Sequence, residues 1–210
     1  MTKSVFTVLL NFSITLTLFS SICTNAAEKN IRKTPLSTPY CSNMILIDKA
    51  ERIEESVIID KADYIVVSKS RRALYLLSKG RVLNQFKVAF GSGLNAGAKE
   101  KEGDGRTPEG MYFIESKNPG SSYHLALKIS YPNSSDIEFA NKMHVRPGSN
   151  IMIHGFPGSF VDNLIPDNVK SIHPNSDWTQ GCIAVTDREI EEIFSLISNR
   201  TPVEICPLEK

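Results

Sequence analysis

From residue 62 onward, apolar and polar positions alternate with the period of β-strands. Tyr64-Ile65-Val66-Val67 is followed by Arg72-Ala73-Leu74-Tyr75-Leu76-Leu77, a Ser78-Lys79-Gly80 turn, and Val82-Leu83-Asn84-Gln85-Phe86-Lys87-Val88-Ala89-Phe90. β-Branched and aromatic residues alternating with polar ones across a glycine turn predict a hairpin, and the succession predicts an antiparallel meander. Met111-Tyr112-Phe113-Ile114 and Leu125-Ala126-Leu127-Lys128-Ile129-Ser130-Tyr131 are further strands, with Asn118-Pro119-Gly120 between them reading as a turn. In Ile151-Met152-Ile153-His154 the strand period places Ile151 and Ile153 on one face, Met152 and His154 on the other. Pro202-Val203-Glu204-Ile205-Cys206 reads as the last strand.

The period changes to that of a helix in two places. Residues 136–143 form a short helix after Asn133-Ser134-Ser135, whose side chains can cap it, with Phe139 and Met143 on one face. Thr186 and Glu189 have the spacing of a capping box, and Ile190, Ile193, Phe194 and Ile197 follow at helical period until Asn199. That stripe is core packing rather than a ligand site. Met44-Ile45-Leu46-Ile47 and Ser56-Val57-Ile58-Ile59 are either strands or a strand followed by a short helix, and residues 91–110 form a long connection rich in Gly, Lys and Glu. The expected fold class is mainly β with peripheral helices.

Composition adds bounds but no activity. Of 210 residues, 41% are hydrophobic and 22% charged, which describes an ordinary globular chain. A net charge of +1 gives no electrostatic footprint for nucleic acid. Lys3, the mostly apolar stretch from Val5 to Ile22 and the small residues Thr24-Asn25-Ala26 read as an export signal over residues 1–26. The alternative is a membrane anchor, so membrane contact is expected only through an uncleaved signal, and the location is the periplasm or cell envelope. Residues 27–61 then form a lead-in, and 62–207 one domain. With Cys23 removed in the export signal, the alternatives for Cys41 and Cys206 are a disulfide, which an oxidising compartment would favour, or two separate thiols; the disulfide would leave Cys182 as the odd cysteine.

Cys182 carries the candidate chemistry. A thiol attacks only as its thiolate, and a free cysteine of pKa about 8.5 needs an imidazole or another positive neighbour to supply one at neutral pH. His154 is the candidate base, brought to Cys182 by folding because the two are too far apart for one helix face. Gly155 interrupts the strand where the imidazole needs room. Gly181 lets the backbone approach a ligand, which makes the amides around Gly181 and Cys182 candidates for an oxyanion hole. Trp178 either packs under the loop or lines a substrate groove, and Thr179 either orients a catalytic group or holds the turn.

Thr179-Gln180-Gly181-Cys182-Ile183, with His154-Gly155 upstream, resembles the signature of the YkuD-type L,D-transpeptidase family, a histidine preceding a Ser/Thr-His-Gly-Cys-hydrophobic motif. The likeness continues through Gly103-Asp104-Gly105-Arg106-Thr107-Pro108-Glu109-Gly110-Met111-Tyr112 and Ile129-Ser130-Tyr131-Pro132-Asn133. It is strongest to the branch with a Trp-Thr-x-Gly-Cys-Ile-Ala-Val motif. The resemblance implies a β-sandwich and a cofactor-free cysteine acyltransferase acting on peptidoglycan stem peptides. Cys182 would be the nucleophile and His154 the base, with Gly181, Thr179, Gly155 and Trp178 forming the oxyanion and substrate-binding surroundings. The acyl donor implied is the third residue of a tetrapeptide stem. The acceptor is a stem amine, a lysine of an envelope lipoprotein, or water. Asp104 and Arg106 belong to the resemblance as turn-shaping residues.

Gln180 stands where the commoner family pattern has His, and Ala184 where it often has Arg or Asn. His173, in a loop with Pro174 and Asn175, could substitute for the missing histidine by folding toward Gln180. A metal site built from His144, His154, His173 and Cys182 does not fit a common zinc spacing. A peptidoglycan-binding protein that keeps the fold without turnover is the alternative from another class.

Overall fold

A computed structural model describes residues 40–50, 61–159, 164 and 166–209. The export signal, most of the lead-in and the run at Ser56-Val57-Ile58-Ile59 lie outside the described residues. The elements in chain order are α1 (Ile45–Lys49), β1 (Tyr64–Ser68), β2 (Ala73–Ser78), β3 (Arg81–Lys87), β4 (Gly110–Ser121), β5 (His124–Ile129), α2 (Ser134–Lys142), β6 (Met152–His154), α3 (Pro166–Ile172), β7 (Ile183–Ala184), α4 (Asp187–Leu196) and β8 (Pro202–Cys206).

The strands form one eight-stranded sheet in the order β3-β2-β1-β8-β4-β5-β6-β7. β8 runs parallel to β1 and β7 parallel to β6, while the other neighbours are antiparallel. The sheet curls until its two ends meet. Just past β3, Ala89 exchanges both backbone hydrogen bonds with Ala184 of β7, at 3.0 and 2.8 Å, and Gly91 pairs with Thr179. Facing halves of the curl enclose a core to which nearly every strand contributes alternate residues: Ile65 and Val67, Leu74 and Leu76, Tyr112 and Ile114, Leu127 and Ile129, Ile153, Ile183, Val203 and Ile205. The fold is therefore mainly β with few helices, as the alternation implies.

Both predicted helices form with their caps. Asn133 accepts from Asp136 N–H while the Asp136 carboxylate accepts from Asn133 N–H; Thr186 and Glu189 make the same reciprocal pair at α4. Ile190 and Ile193 of α4, with Ile197 at its end, are sealed against the sheet. The helix ends at Leu196 rather than at Asn199, since Ile197 is already extended. On α2 Phe139 is buried but Met143, at the C-cap, is half exposed, so the two do not share a packed face. Met44 and the short helix α1 cover the outer face of β1 and β2 beside the Cys41–Cys206 disulfide.

The turn expected at Asn118-Pro119-Gly120 is instead the far part of a continuous β4, and the chain reverses at Ser122-Tyr123. β8 pairs with β4 from Gly110 to Phe113, and Ile114 still exchanges backbone hydrogen bonds with Thr201 and Arg200, so the far part of β4 runs past the end of β8. A proline lacking an N–H donor is tolerated past that end. The longer hairpin carries Ser121, Ser122 and Tyr123 out to one wall of the groove described next.

Candidate active site

β6 and β7 are adjacent parallel strands, with Ile153 opposite Ile183 and His154 opposite Ala184. Side chains in a strand alternate, so Cys182, two residues before Ala184, projects to the same face as His154 and away from the Ile153/Ile183 core. Both residues line one groove of about 910 Å³, together with Asn118, Tyr123, Asn150 and Gln180. Cys182 is a partly exposed cysteine outside any disulfide, and its Sγ lies 3.6 Å from the Asn150 carbonyl oxygen. The sequence assignment of Met152 and His154 to one face and of Ile151 and Ile153 to the other agrees with the burial of both isoleucines.

His154 is buried, and its Nδ1 lies 2.7 Å from the Gly155 carbonyl oxygen. A carbonyl only accepts, so the neutral ring carries its proton on Nδ1 and has its acceptor lone pair on Nε2. Tyr123 lies against the ring at a centroid distance of 4.5 Å, and Trp178 meets it edge-on at 5.7 Å. The Gly155 carbonyl and these two aromatic rings help to hold the imidazole. Gly155 is needed for packing as well as for its carbonyl: a Cβ there would sit 2.6 Å from Asp187 Oδ1 and 3.0 Å from Ile190 Cγ2 of α4.

Thr179 holds the turn before the thiol. Its Oγ1 accepts from Gly181 N–H at 3.1 Å and donates to the Cys182 carbonyl at 2.8 Å. Of the amides around Gly181 and Cys182 expected to hold an oxyanion, the Gly181 N–H is bonded to the threonine hydroxyl. Gly181 also contributes conformation. Its φ is +122°, and a Cβ would stand 2.6 Å from the Arg106 carbonyl oxygen. Trp178 is buried and does not line the groove; of the two roles open to it, packing under the loop is the one observed.

His173 packs with Phe156 and Trp178 and is not among the residues that line the groove with Gln180. It touches Phe156 edge-on at 5.1 Å, and its Nδ1 is 3.5 Å from the Trp178 Nε1–H. Burial pushes its pKa below the ordinary imidazole value, which favours the neutral ring that can accept from the indole. His144 follows α2 and is exposed. Gln180 is exposed on the groove, and Ala184 is buried against Ala89.

Several supporting groups gave no signal in the sequence. Arg72 grips Asp177 through both guanidinium nitrogens, at 2.7 and 3.1 Å, and Asp177 Oδ1 also accepts from Phe90 N–H. This bidentate clamp fixes the segment entering Trp178. Lys69, fully buried, donates to the Thr107 carbonyl and to Glu109, anchoring the chain that leads into β4.

Asp104 organises the loop that props the cysteine turn. Its carboxylate accepts from Lys99 Nζ at 2.8 Å and from the N–H groups of Glu100, Lys101 and Arg106. Burial alone would raise its pKa, but the lysine and these amides outweigh that and hold it below the usual carboxylate range. A carboxyl depressed in the folded state contributes stability above the unfolded value of about 3.9, and loses it as pH falls through the folded value. Asp104→Asn is therefore expected to lower the melting temperature at pH 7, with the difference from wild type shrinking once pH drops below about 4. Thermal melts of both proteins over that range check it, and a gap that stays constant with pH would rule out the ionised carboxylate as the source.

A sequence model of the YkuD family, described as the L,D-transpeptidase catalytic domain, matches residues 62–205. YafK of Escherichia coli (strain K12), an L,D-transpeptidase by provisional name, is 30% identical over 141 residues, 64% of this chain and 47% of that protein. The chain spans about half the length of the curated relatives it matches. Among solved structures, the helical cell shape determining protein Pgp2 from Campylobacter jejuni is 26% identical, with a TM-score of 0.49, over 72% of this chain and 49% of that one. An L,D-transpeptidase from Mycobacterium smegmatis is 13% identical, with a TM-score of 0.44, over 69% and 58% of the two chains.

Proposed function

The chain belongs to the YkuD family of L,D-transpeptidase catalytic domains, and on that premise we propose that it is an exported cysteine acyltransferase acting on peptidoglycan stem peptides. The observation that carries the reading is the placement of Cys182 and His154 on one face of adjacent parallel strands, in one groove, with the histidine tautomer fixed by the Gly155 carbonyl.

In this reading His154 Nε2 takes the Cys182 proton as sulfur attacks the carbonyl carbon of the L,D bond. The tetrahedral oxyanion is met by a backbone amide of the 180–182 turn other than that of Gly181. Collapse breaks the C–N bond, His154 returns the proton to the departing D-amino acid, and a thioester to Cys182 remains. An acceptor amine or water then attacks the thioester, giving its proton to Nε2, and the thiol is regenerated. A stem amine as acceptor yields a cross-link, a lipoprotein lysine an anchored protein, and water a trimmed stem. The apparent export signal at residues 1–26 supports a periplasmic or envelope location.

The test is mass spectrometry of disaccharide-tetrapeptide stems incubated with the mature protein or Cys182→Ala, with and without an added amine. Loss of the terminal D-amino acid or a linked product is expected only with Cys182 present, and the product identifies the acceptor. A folded protein that binds sacculi yet releases nothing from any stem would overturn the transferase reading in favour of a wall-binding protein.

A further inference from the structure

A second cavity, of about 430 Å³, shares no lining residue with the groove. β3 ends on it with Lys87, α3 contributes Lys170, and His173 and Pro174 follow from the loop after α3. Its two lysines are exposed, and neither has an ion-pair partner among the described residues. The acid in the lining is Glu189, whose Oε2 accepts from the Thr186 N–H and hydroxyl, both at 2.8 Å, as the cap of α4. Two cations against one capping carboxylate leave the cavity net positive.

His173 adds a neutral donor. Its Nδ1 accepts from the Trp178 Nε1–H at 3.5 Å, so the ring proton sits on Nε2. Burial lowers the pKa of this histidine and favours that neutral form. The apolar part of the lining is Pro174 and the Phe156 ring, which meets His173 edge-on at 5.1 Å. Ammonium groups make their strongest hydrogen bonds to anionic oxygen, and they repel a metal ion. A small, strongly hydrated anion would leave Phe156 and Pro174 without an apolar partner. The volume is within the range of small-molecule sites, where apolar walls and a few polar groups fix a ligand.

We propose that this cavity binds a small organic carboxylate with an apolar body, the charge met by Lys87 and Lys170 and the body by Phe156 and Pro174. No bond is made or broken there, and the site stands whether or not the groove turns over stems. Occupancy has an optical readout. Trp178 is the chain's single tryptophan, and its ring lies 6.4 Å from that of His173 and 5.7 Å from that of His154. A carboxylate settling beside His173 alters the field at the indole, so Trp178 emission follows binding without any reaction.

Isovalerate is the probe, titrated into the full chain with Trp178 emission and heat recorded together. Saturable binding is expected, with an affinity about tenfold above that of isovaleramide, its neutral isostere. Acetate, which keeps the charge but has little apolar body, should bind more weakly than isovalerate. Lys87→Met with Lys170→Met should bring isovalerate down to the amide, and Lys170→Glu alone should weaken it further, while Cys182→Ala leaves binding unchanged. N-Acetylleucine carries the same isobutyl group and a carboxylate on an acylated chain. Tighter binding than isovalerate would assign the terminal carboxylate of a peptide as the natural source, and weaker binding a free acid. Equal affinity for isovalerate and isovaleramide, no saturable binding by either readout, or undiminished binding to both lysine variants would overturn the site. Acetate binding as tightly as isovalerate would overturn the apolar half of the assignment.

Discussion

His154→Gln is expected to lower stem turnover by about 10³-fold, with much less effect on folding. The ring is fixed by its Nδ1–H bond to the Gly155 carbonyl and by contacts with Tyr123 and Trp178, which leave Nε2 as the nitrogen able to take a proton. Glutamine preserves much of the volume and can still donate to a carbonyl, but it has no titratable nitrogen. Alkylation of Cys182 in the folded protein reads the same interaction without any substrate. Wild-type thiol should react well below about pH 8, and the variant only as pH approaches the range of an unassisted thiol. Turnover within tenfold of wild type, in a variant with an unchanged melting temperature, would remove His154 as the base.

The residues that make this test possible were visible in the sequence because each depends on local physics. Alternation around Ile153 settles which side of β6 faces the core, so it settles where His154 points. The Thr186 and Glu189 spacing satisfies two backbone donors at the start of α4 whatever the rest of the chain does. In contrast, Arg72 and Asp177, Lys69 and Glu109, and Tyr64 with Glu204 join distant segments, and nothing in either member's neighbourhood names its partner. The same limit applies to the closure of the sheet through Ala89 and Ala184. Asn118-Pro119-Gly120 fails in the opposite way: its local turn preference is real, but pairing with β5 carries the strand past it. Trp178 shows why a residue can be singled out in the sequence while its packing cannot. Its place beside the cysteine motif is plain in the sequence, whereas its burial against His154 and His173 exists only after folding.

Gly91→Ala is expected to be the most damaging single methyl group that can be added near the site. Three backbone segments converge there: a Cβ on Gly91 would lie 2.1 Å from the Gly105 carbonyl oxygen, 2.7 Å from Gly181 Cα and 2.8 Å from Gly181 N. None of these is the yielding end of a side chain, so relief requires the strand after β3, the Asp104 loop or the cysteine turn to move. Gly91 N–H also donates to Thr107 Oγ1, and the neighbouring Ser92 N–H donates to the Thr179 carbonyl, so displacement passes directly to the residues holding Cys182. Overpacking of this kind costs about 3 kcal/mol, roughly 6 to 12 °C in melting temperature for a domain of this size. Turnover should fall beyond what the lost stability explains, because the turn before the thiol shifts even in molecules that remain folded. Gly97→Ala is the control: its φ of +93° also disfavours a side chain, but nothing lies within 4 Å of the added carbon. That variant should lose only about 1 kcal/mol through backbone strain and keep near-normal turnover below its melting point. If Gly91→Ala melts no lower than Gly97→Ala and turns over stems at the wild-type rate, the three backbones are not packed as closely as this structure has them, and the proposed support of the cysteine turn by the Asp104 loop falls with that packing.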